Sequence, residues 1–304
     1  MKRCAVTGAT SMIGVALIEE CIKNGTEVLA IIRKDTSRLS RLPQSELIRI
    51  EYADIGQLEN ICGDDKPYDV FYHFAWANAV KATRDDPFLQ EENIKSALKA
   101  AELAKKLGCK KFIGAGSQAE YGIVDGMISS DTVPKPLTAY GMAKLSANLL
   151  SRRLCEQYGI MHIWGRIFSV YGCYDNEGTM LNYAIDQFIK GEAAKLSSAT
   201  QMWNYLYESD AGKMFYLLGK NDVESGVYCI ANETSRPLRE YVEILKDAFG
   251  KNAVCEFAKD SGKKALGLQA DIGSTIMATG FHPEVDFETG IKKVIEYKRA
   301  EYFK

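Results

Sequence analysis

A doubly wound parallel α/β sheet with a smaller, mostly helical C-terminal lobe is the fold this sequence predicts. Three observations predict it. Short, near-continuous apolar runs alternate with longer helical patterns over the first two-thirds of the 304 residues. Strands buried on both faces read this way, and the helices between them cover both faces of a parallel sheet. A glycine-containing turn, Thr7-Gly8-Ala9-Thr10-Ser11-Met12-Ile13-Gly14, joins the first apolar run to the first helical pattern. After Gly172 the rhythm changes to helices linked by short strand-like pieces.

The elements follow in order. Cys4-Ala5-Val6 is the first strand, and a helix from about Met12 to Asn24 ends at Gly25, as a C-terminal cap would end it. Glu27 to Ile32 is the second strand, Leu47 to Ile50 the third and Asp69 to Phe74 the fourth. Phe88 to Leu107 reads as a long amphipathic helix stopped at Gly108. Lys111 to Ala115 is the next strand, Tyr140 to Gln157 the next helix and Met161 to Arg166 a further strand. Beyond Gly172, helices are predicted over 179–190, 209–219, 237–249 and 286–302, with Val227-Tyr228-Cys229-Ile230 among the strand-like links. Residues 1–172 thus form a dinucleotide-binding domain of the doubly wound kind, and 173–304 a substrate lobe. The chain crosses between them at points the sequence does not locate.

Composition narrows the function classes. The chain is 46% hydrophobic and 26% charged, ordinary for a soluble globular enzyme. A net charge of −2 without a basic block gives nucleic-acid binding no electrostatic footing. No apolar run is long enough to span a membrane. Eight cysteines without a C-x-x-C pair are neither a disulfide framework nor a zinc pattern, and they suit a reducing compartment. The three histidines, at 73, 162 and 282, are too scattered in sequence for a metal site. Met1-Lys2-Arg3 leads into the first strand without a signal-peptide pattern, so a cytoplasmic protein is expected.

Tyr140-Gly-Met-Ala-Lys144 puts a phenol and an ammonium one helical turn apart on one face. The ammonium favours the phenolate, so Tyr140 is expected to titrate nearer neutrality and to pass a proton. Upstream, Ser117 lies just past a strand end in Gly116-Ser117-Gln118-Ala119-Glu120-Tyr121-Gly122. In this order the glycine turn, the hydroxyl and the Tyr/Lys pair resemble the extended short-chain dehydrogenase/reductase family of nucleotide-sugar epimerases, dehydratases and ketoreductases. The resemblance covers nearly the whole chain. It implies that Ser117, Tyr140 and Lys144 are catalytic. Ser117 would orient the substrate oxygen, Tyr140 would exchange a proton with it, and Lys144 would bind the cofactor ribose.

The cofactor end is read from the turn and the second strand. A strand, a glycine turn and a helix start make an anion site. Gly8 permits the tight turn and Gly14 close packing of helix on sheet, with Thr10, Ser11, Met12 and Ile13 between them. Ser11 stands where the family has a middle glycine; a serine is small and can donate to a phosphate oxygen. An acidic residue ending the second strand would bind both ribose hydroxyls of NAD. Here that place is Ile32, followed by Arg33 and Lys34, and Arg33 can stack on adenine or fork to a 2′-phosphate. NADP is therefore the expected cofactor, and nearby Asp35 keeps NAD open. The resemblance adds Asp54 and Ile55 beside the adenine, Phe74, Ala75 and Trp76 beneath the ribose and nicotinamide, and Asn93 as a brace for the backbone.

The residues after Ser117 bear on the reaction. Family dehydratases carry an Asp-Glu pair there; this chain has Gln118 and Ala119. Glu120, in an extended segment, would point to the opposite face. Elimination is thereby disfavoured. Net 4-ketoreductases exchange their cofactor and commonly use NADPH, whereas 4-epimerases hold NAD tightly. The basic end of the second strand favours reduction of a 4-keto-6-deoxyhexose nucleotide at C4. A 4-epimerase is the alternative, and a non-catalytic NAD(P) sensor or scaffold the second. Trp76, Ser117, Gln118, Phe168, Ser169 and Trp203 are the expected substrate contacts. Trp203 stands where many UDP-sugar enzymes have a phosphate-binding arginine, and Arg236, Lys263 and Lys264 are candidates to replace it. The resemblance also implies a homodimer through the two long helices. Ala97, Ala100, Ala101 and Ala104 would allow close helix approach, either to a partner or to the chain's own sheet.

Overall fold

The computed structural model describes residues 1–260 and 266–303. β1 (Arg3–Thr7) leads through the glycine turn into α1 (Met12–Lys23), then β2 (Glu27–Ile32) and β3 (Ile48–Tyr52). β4 (Val70–His73), α2 (Pro87–Lys106) and β5 (Lys111–Ser117) follow, then β6 (Met127–Ile128), α3 (Ala139–Tyr158), β7 (Met161–Ile167) and β8 (Ser169–Tyr171). Local chemistry sets the helix ends. Asp86 caps α2 by accepting from the amides of Phe88 and Leu89, and Pro87 opens it at a position where no N–H is needed. Thr138 caps α3 by accepting from Gly141 N, and Gly159, at φ +67°, ends it in the left-handed region.

The second half contains α4 (Met180–Lys190), β9 (Ala194–Leu196), β10 (Met202–Trp203), β11 (Tyr205–Tyr207) and α5 (Glu208–Lys220). β12 (Gly226–Ile230), β13 (Arg236–Pro237), α6 (Leu238–Phe249), β14 (Cys255–Phe257), β15 (Gln269–Ala270), α7 (Gly273–Thr279) and α8 (Phe287–Tyr302) complete it. The main sheet has seven parallel strands in the order β12-β7-β5-β4-β1-β2-β3. Among the described residues there are also four two-stranded pairs: β10 with β13, β11 with β8, β14 with β9, and β15 with β6.

One expectation is corrected, and one open alternative is decided. Val227–Ile230 is not a link within the second lobe: as part of β12 it pairs with β7 and forms an edge of the main sheet. α5 likewise packs on α1, and a Cβ on Gly212 would strike the Ala16 backbone, so the two helices touch main chain to main chain. Ala97, Ala100, Ala101 and Ala104 are wholly buried inside the chain's own core, so they are not free to meet a partner. The C-terminal elements gather on a second apolar centre in which Tyr171, Tyr205, Tyr241 and Phe287 stack or meet edge to face. No helix among the described residues is long and apolar enough to cross a membrane.

Candidate active site

The strand order reverses at β1, between β2 and β4, and a cleft opens beyond the carboxyl ends of these strands. Its volume is about 560 Å³, within the usual size of cofactor pockets. Gly8 sits at φ +69°, and a Cβ there would lie 2.6 Å from the Ala75 amide nitrogen, so only glycine lets the turn pass under the β4 loop. A Cβ on Gly14 would strike the Gly8 carbonyl. Gly14 therefore serves the turn itself, a correction to its expected role of packing helix on sheet. The Ser11 hydroxyl oxygen accepts from Gly14 N at 3.1 Å as the cap of α1, which leaves its O–H to donate. Met12 and Ile13 begin the helix, where N–H groups have no helical partner.

The cleft brings together most of the expected cofactor contacts. Gly8, Thr10, Ser11, Arg33, Asp54, Ile55, Phe74, Ala75 and Trp76 line it; Met12, Ile13 and Gly14, in the first turn of α1, do not. Thr36, Arg38 and Asn176 line it too and were not singled out from sequence. The Arg33 side chain is 63% exposed at the rim, 4.0 Å from Asp35. No carboxylate occupies the end of β2, where Ile32 is buried. Donors at a helix start, a glycine floor that a Cβ would fill, and a long cleft suit a dinucleotide.

Trp76, which lines the cleft, also touches Tyr140 and Lys144, two of the three expected catalytic residues. The Trp76 ring lies edge-on to Tyr140, with centroids 5.9 Å apart, and Trp76 Nε1 donates to Gln90 at 3.0 Å. Asn93 grips the Ala77 backbone at both ends, accepting from its N at 2.8 Å and donating to its O at 3.0 Å. Lys144 is buried, donates to the Ala115 carbonyl at 2.6 Å and rests 3.7 Å from the Trp76 ring centre. Burial pushes its pKa down to about 7; Glu120 opposes that shift and Arg84 adds to it.

Tyr140 corrects the sequence reading. Its phenol is pushed up, not down, because burial disfavours the phenolate; the charge of Arg84 and a hydrogen bond with Ser117 pull the other way. Lys144 Nζ is 5.8 Å from the Tyr140 ring centre and turned to Ala115. The guanidinium nearest the ring is that of Arg84, 4.1 Å away, which no motif marked.

Glu120 is a second correction. The segment is not extended: residues 118–120 form a 3₁₀ turn capped by Ser117. Glu120 is wholly buried and accepts from Ser117 N at 2.8 Å, Trp164 Nε1 at 2.9 Å and Arg166 Nε at 2.8 Å. Glycines at 114 and 116 make room for the Trp164 indole; a Cβ at either would strike it. The Ser117 hydroxyl accepts from Ala119 N at 3.2 Å, so its proton can point toward a substrate. Gln118 and Ala119 are partly exposed beside it. His73, at the end of β4, is held neutral: burial and then Lys144 push its pKa down to about 3.

On the substrate side, Trp203 Nε1 donates to Ser169 Oγ at 3.0 Å, which joins two of the expected contacts. Phe168 is buried and packs near Tyr121. Arg236 pairs with Trp203 across β10 and β13 but is tied to Glu288 at 3.0 Å. Lys263 and Lys264 lie outside the described residues.

Comparison with known proteins agrees with this fold. The profile described as the NAD dependent epimerase/dehydratase family matches residues 4–231. A UDP-glucuronate 4-epimerase of Thermodesulfobacterium geofontis is 24% identical over 311 residues, covering 97% of this chain and 95% of its own. The structure of a UDP-N-acetylglucosamine 4-epimerase from Methanobrevibacter ruminantium M1, in complex with UDP-N-acetylmuramic acid, superposes with a TM-score of 0.88 at 23% identity over 99% of each chain. The UDP-glucuronic acid 4-epimerase from Bacillus cereus, in complex with NAD, gives 0.83 at 21% identity, over 99% of this chain and 98% of its own.

Proposed function

The chain belongs to the NAD dependent epimerase/dehydratase family, and we propose that it is a net reductase that converts a 4-keto-6-deoxyhexose nucleotide to the 4-hydroxy sugar. One observation carries this reading. The Ser117–Tyr140–Lys144 constellation is whole, yet the two places after Ser117 hold Gln118 and Ala119, and the next carboxylate, Glu120, is spent on Ser117, Trp164 and Arg166. A site built this way can move a proton at a carbonyl oxygen and lacks the acid/base pair that elimination needs.

In this reading the Ser117 hydroxyl donates to the C4 oxygen and fixes its place. Tyr140 gives that oxygen its proton, and Lys144 binds the ribose hydroxyls and holds Tyr140 in line. The nicotinamide cofactor, when bound, supplies the hydride. Arg33 and Arg38 at the rim, with Ile32 in place of an acid, favour a 2′-phosphate and hence NADP. The 4-epimerases among the relatives favour a second reading, in which the cofactor is NAD and remains bound. Trp203 in place of a phosphate-binding arginine argues against assuming a uridine sugar.

The test is consumption of NADPH against NADH by the purified protein on dTDP- and CDP-4-keto-6-deoxyhexoses. Stoichiometric loss of NADPH is expected, with Tyr140→Phe lowering the rate by about 10²–10⁴-fold, the range for loss of an acid/base group. A protein that carries NAD through purification and interconverts 4-epimers without net cofactor loss would replace this reading with the second.

A further inference from the structure

The turn that precedes α2 reaches over the catalytic tyrosine. Residues 80–86 form a tight coil in which Thr83 N and Arg84 N both donate to the Val80 carbonyl, at 3.0 and 2.9 Å. Two anchors fix it. Asp85 Oδ1 accepts from Ala139 N at 2.8 Å, at the first residue of α3 and one residue before Tyr140. Gln90, buried in α2, donates to the Asn78 carbonyl at 2.8 Å, and its Oε1 holds Trp76. Arg84 is thereby set with its guanidinium carbon 4.1 Å from the Tyr140 ring centre.

We propose that Arg84 is a positioning residue for proton transfer, a fixed cation over the ring that stabilises the Tyr140 phenolate in addition to the lysine one turn along the helix. The inference rests on the reading of Tyr140 as the acid/base group. A phenolate spreads its charge into the ring, so a cation over the ring face attracts it more strongly than it attracts the phenol. Five groups bear on Tyr140: Arg84 from the turn, Lys144 from its own helix, Ser117 from the end of β5, Glu120 from the 3₁₀ turn and the Trp76 edge. Glu120 works against the phenolate and Ser117 for it. Lys144 is directed away, to Ala115 and Trp76, and burial brings it to about 7, so near neutral pH it is charged only part of the time. An arginine side chain is charged at every pH at which an enzyme works. The two cations also oppose each other: Arg84 lowers the proton affinity of Lys144.

The experiment is a pH titration of the full chain, grown with tyrosine carrying ¹³C at Cζ, followed by NMR with and without NADP⁺. The Tyr140 signal is the one absent in Tyr140→Phe. In Arg84→Gln its midpoint is expected to rise by about one unit, a tenfold loss of phenolate at fixed pH. Arg84→Lys, which keeps the charge, should recover part of the shift, and the pH limb of kcat/KM should move with the NMR midpoint. An unchanged midpoint in Arg84→Gln overturns the proposal, as does an equal shift in the glutamine and lysine variants, which would make shape and not charge the cause. The titration needs no sugar. A failed substrate assay would therefore sink the functional reading and leave the titration to be judged alone.

Discussion

Glu120 shows how one side chain ties Ser117, the proposed catalytic serine, to the core. Its two oxygens take three hydrogen bonds, one of them from a guanidinium that is itself buried. A buried ion pair adds little net stability, but removing one partner leaves the other charged and unpaired, which costs about 3–5 kcal/mol. Glu120→Gln sets an amide N–H₂ against either Arg166 Nε or the Ser117 and Trp164 donors. Urea unfolding should show a loss of that size, and turnover should fall as Ser117 loses its brace. Adding Arg166→Met removes the stranded charge, so the double variant is expected to be more stable than Glu120→Gln alone; equal stability would mean that the pair is not coupled. Some of this site was legible at the residue scale. That Ser117, Tyr140 and Lys144 lie near one another was readable from their order and spacing. The direction of Glu120 was not, because it depends on a 3₁₀ turn where the sequence reads equally well as extended. The acidity of Tyr140 was misread because spacing reports neighbours on a helix, whereas burial and Arg84 come from other elements.

At the scale of elements, the strands of the main sheet were legible because burial on both faces leaves a continuous apolar run. β12 has such a run, but its place depends on pairing with β7, about sixty residues earlier, and a local sequence carries no record of a partner. α7, Gly-Ser-Thr-Ile-Met-Ala-Thr, was missed because so short a helix shows no apolar period; it buries Thr275 and Thr279 instead. The homodimer expected from the resemblance also changes its footing. With the α2 alanines buried within the chain, the large apolar residues exposed on the two helices are Phe88 at the start of α2 and, on α3, Leu149 and Leu150, 46% and 49% exposed, with Met142 two turns before Leu149. We expect sedimentation to give twice the 33.8 kDa of one chain. Leu149→Glu together with Leu150→Glu should give a monomer with unchanged helicity. A wild-type species of 33.8 kDa would remove the dimer.

For the whole molecule, the junction between the sheet and the C-terminal elements holds a carboxyl group that makes stability depend on pH. Glu208 opens α5, which packs on α1, and a Cβ on Gly172 would strike its carboxyl group. One oxygen accepts from Cys173 N at 3.0 Å; Oε2 is buried with no hydrogen-bond partner among the described residues. Burial raises the pKa of Glu208 to about 7, the hydrogen bonds from Cys173 oppose this and the charge of Glu19 adds to it. An acid with a raised folded pKa binds its proton more tightly folded than unfolded. Its contribution is fully present below the unfolded value, near 4.5, and is lost as pH rises through 7. Asp175, pushed up to about 6 by burial, acts in the same direction, while His73 and His162, pushed down to about 3, act in the opposite one as pH falls below 6.5. The net profile of the wild type is therefore a mixture, and only a difference isolates Glu208. Glu208→Gln keeps an oxygen for Cys173 N–H and cannot ionise. At pH 4 the two proteins should unfold at nearly the same urea concentration, because the wild-type carboxyl is protonated in the folded protein and largely so in the unfolded chain. By pH 8 the glutamine variant should be more stable, by about 2–3 kcal/mol after discounting the partial exposure of the site. A difference that does not change between the two pH values would mean that Glu208 ionises in the folded protein as freely as in the unfolded chain.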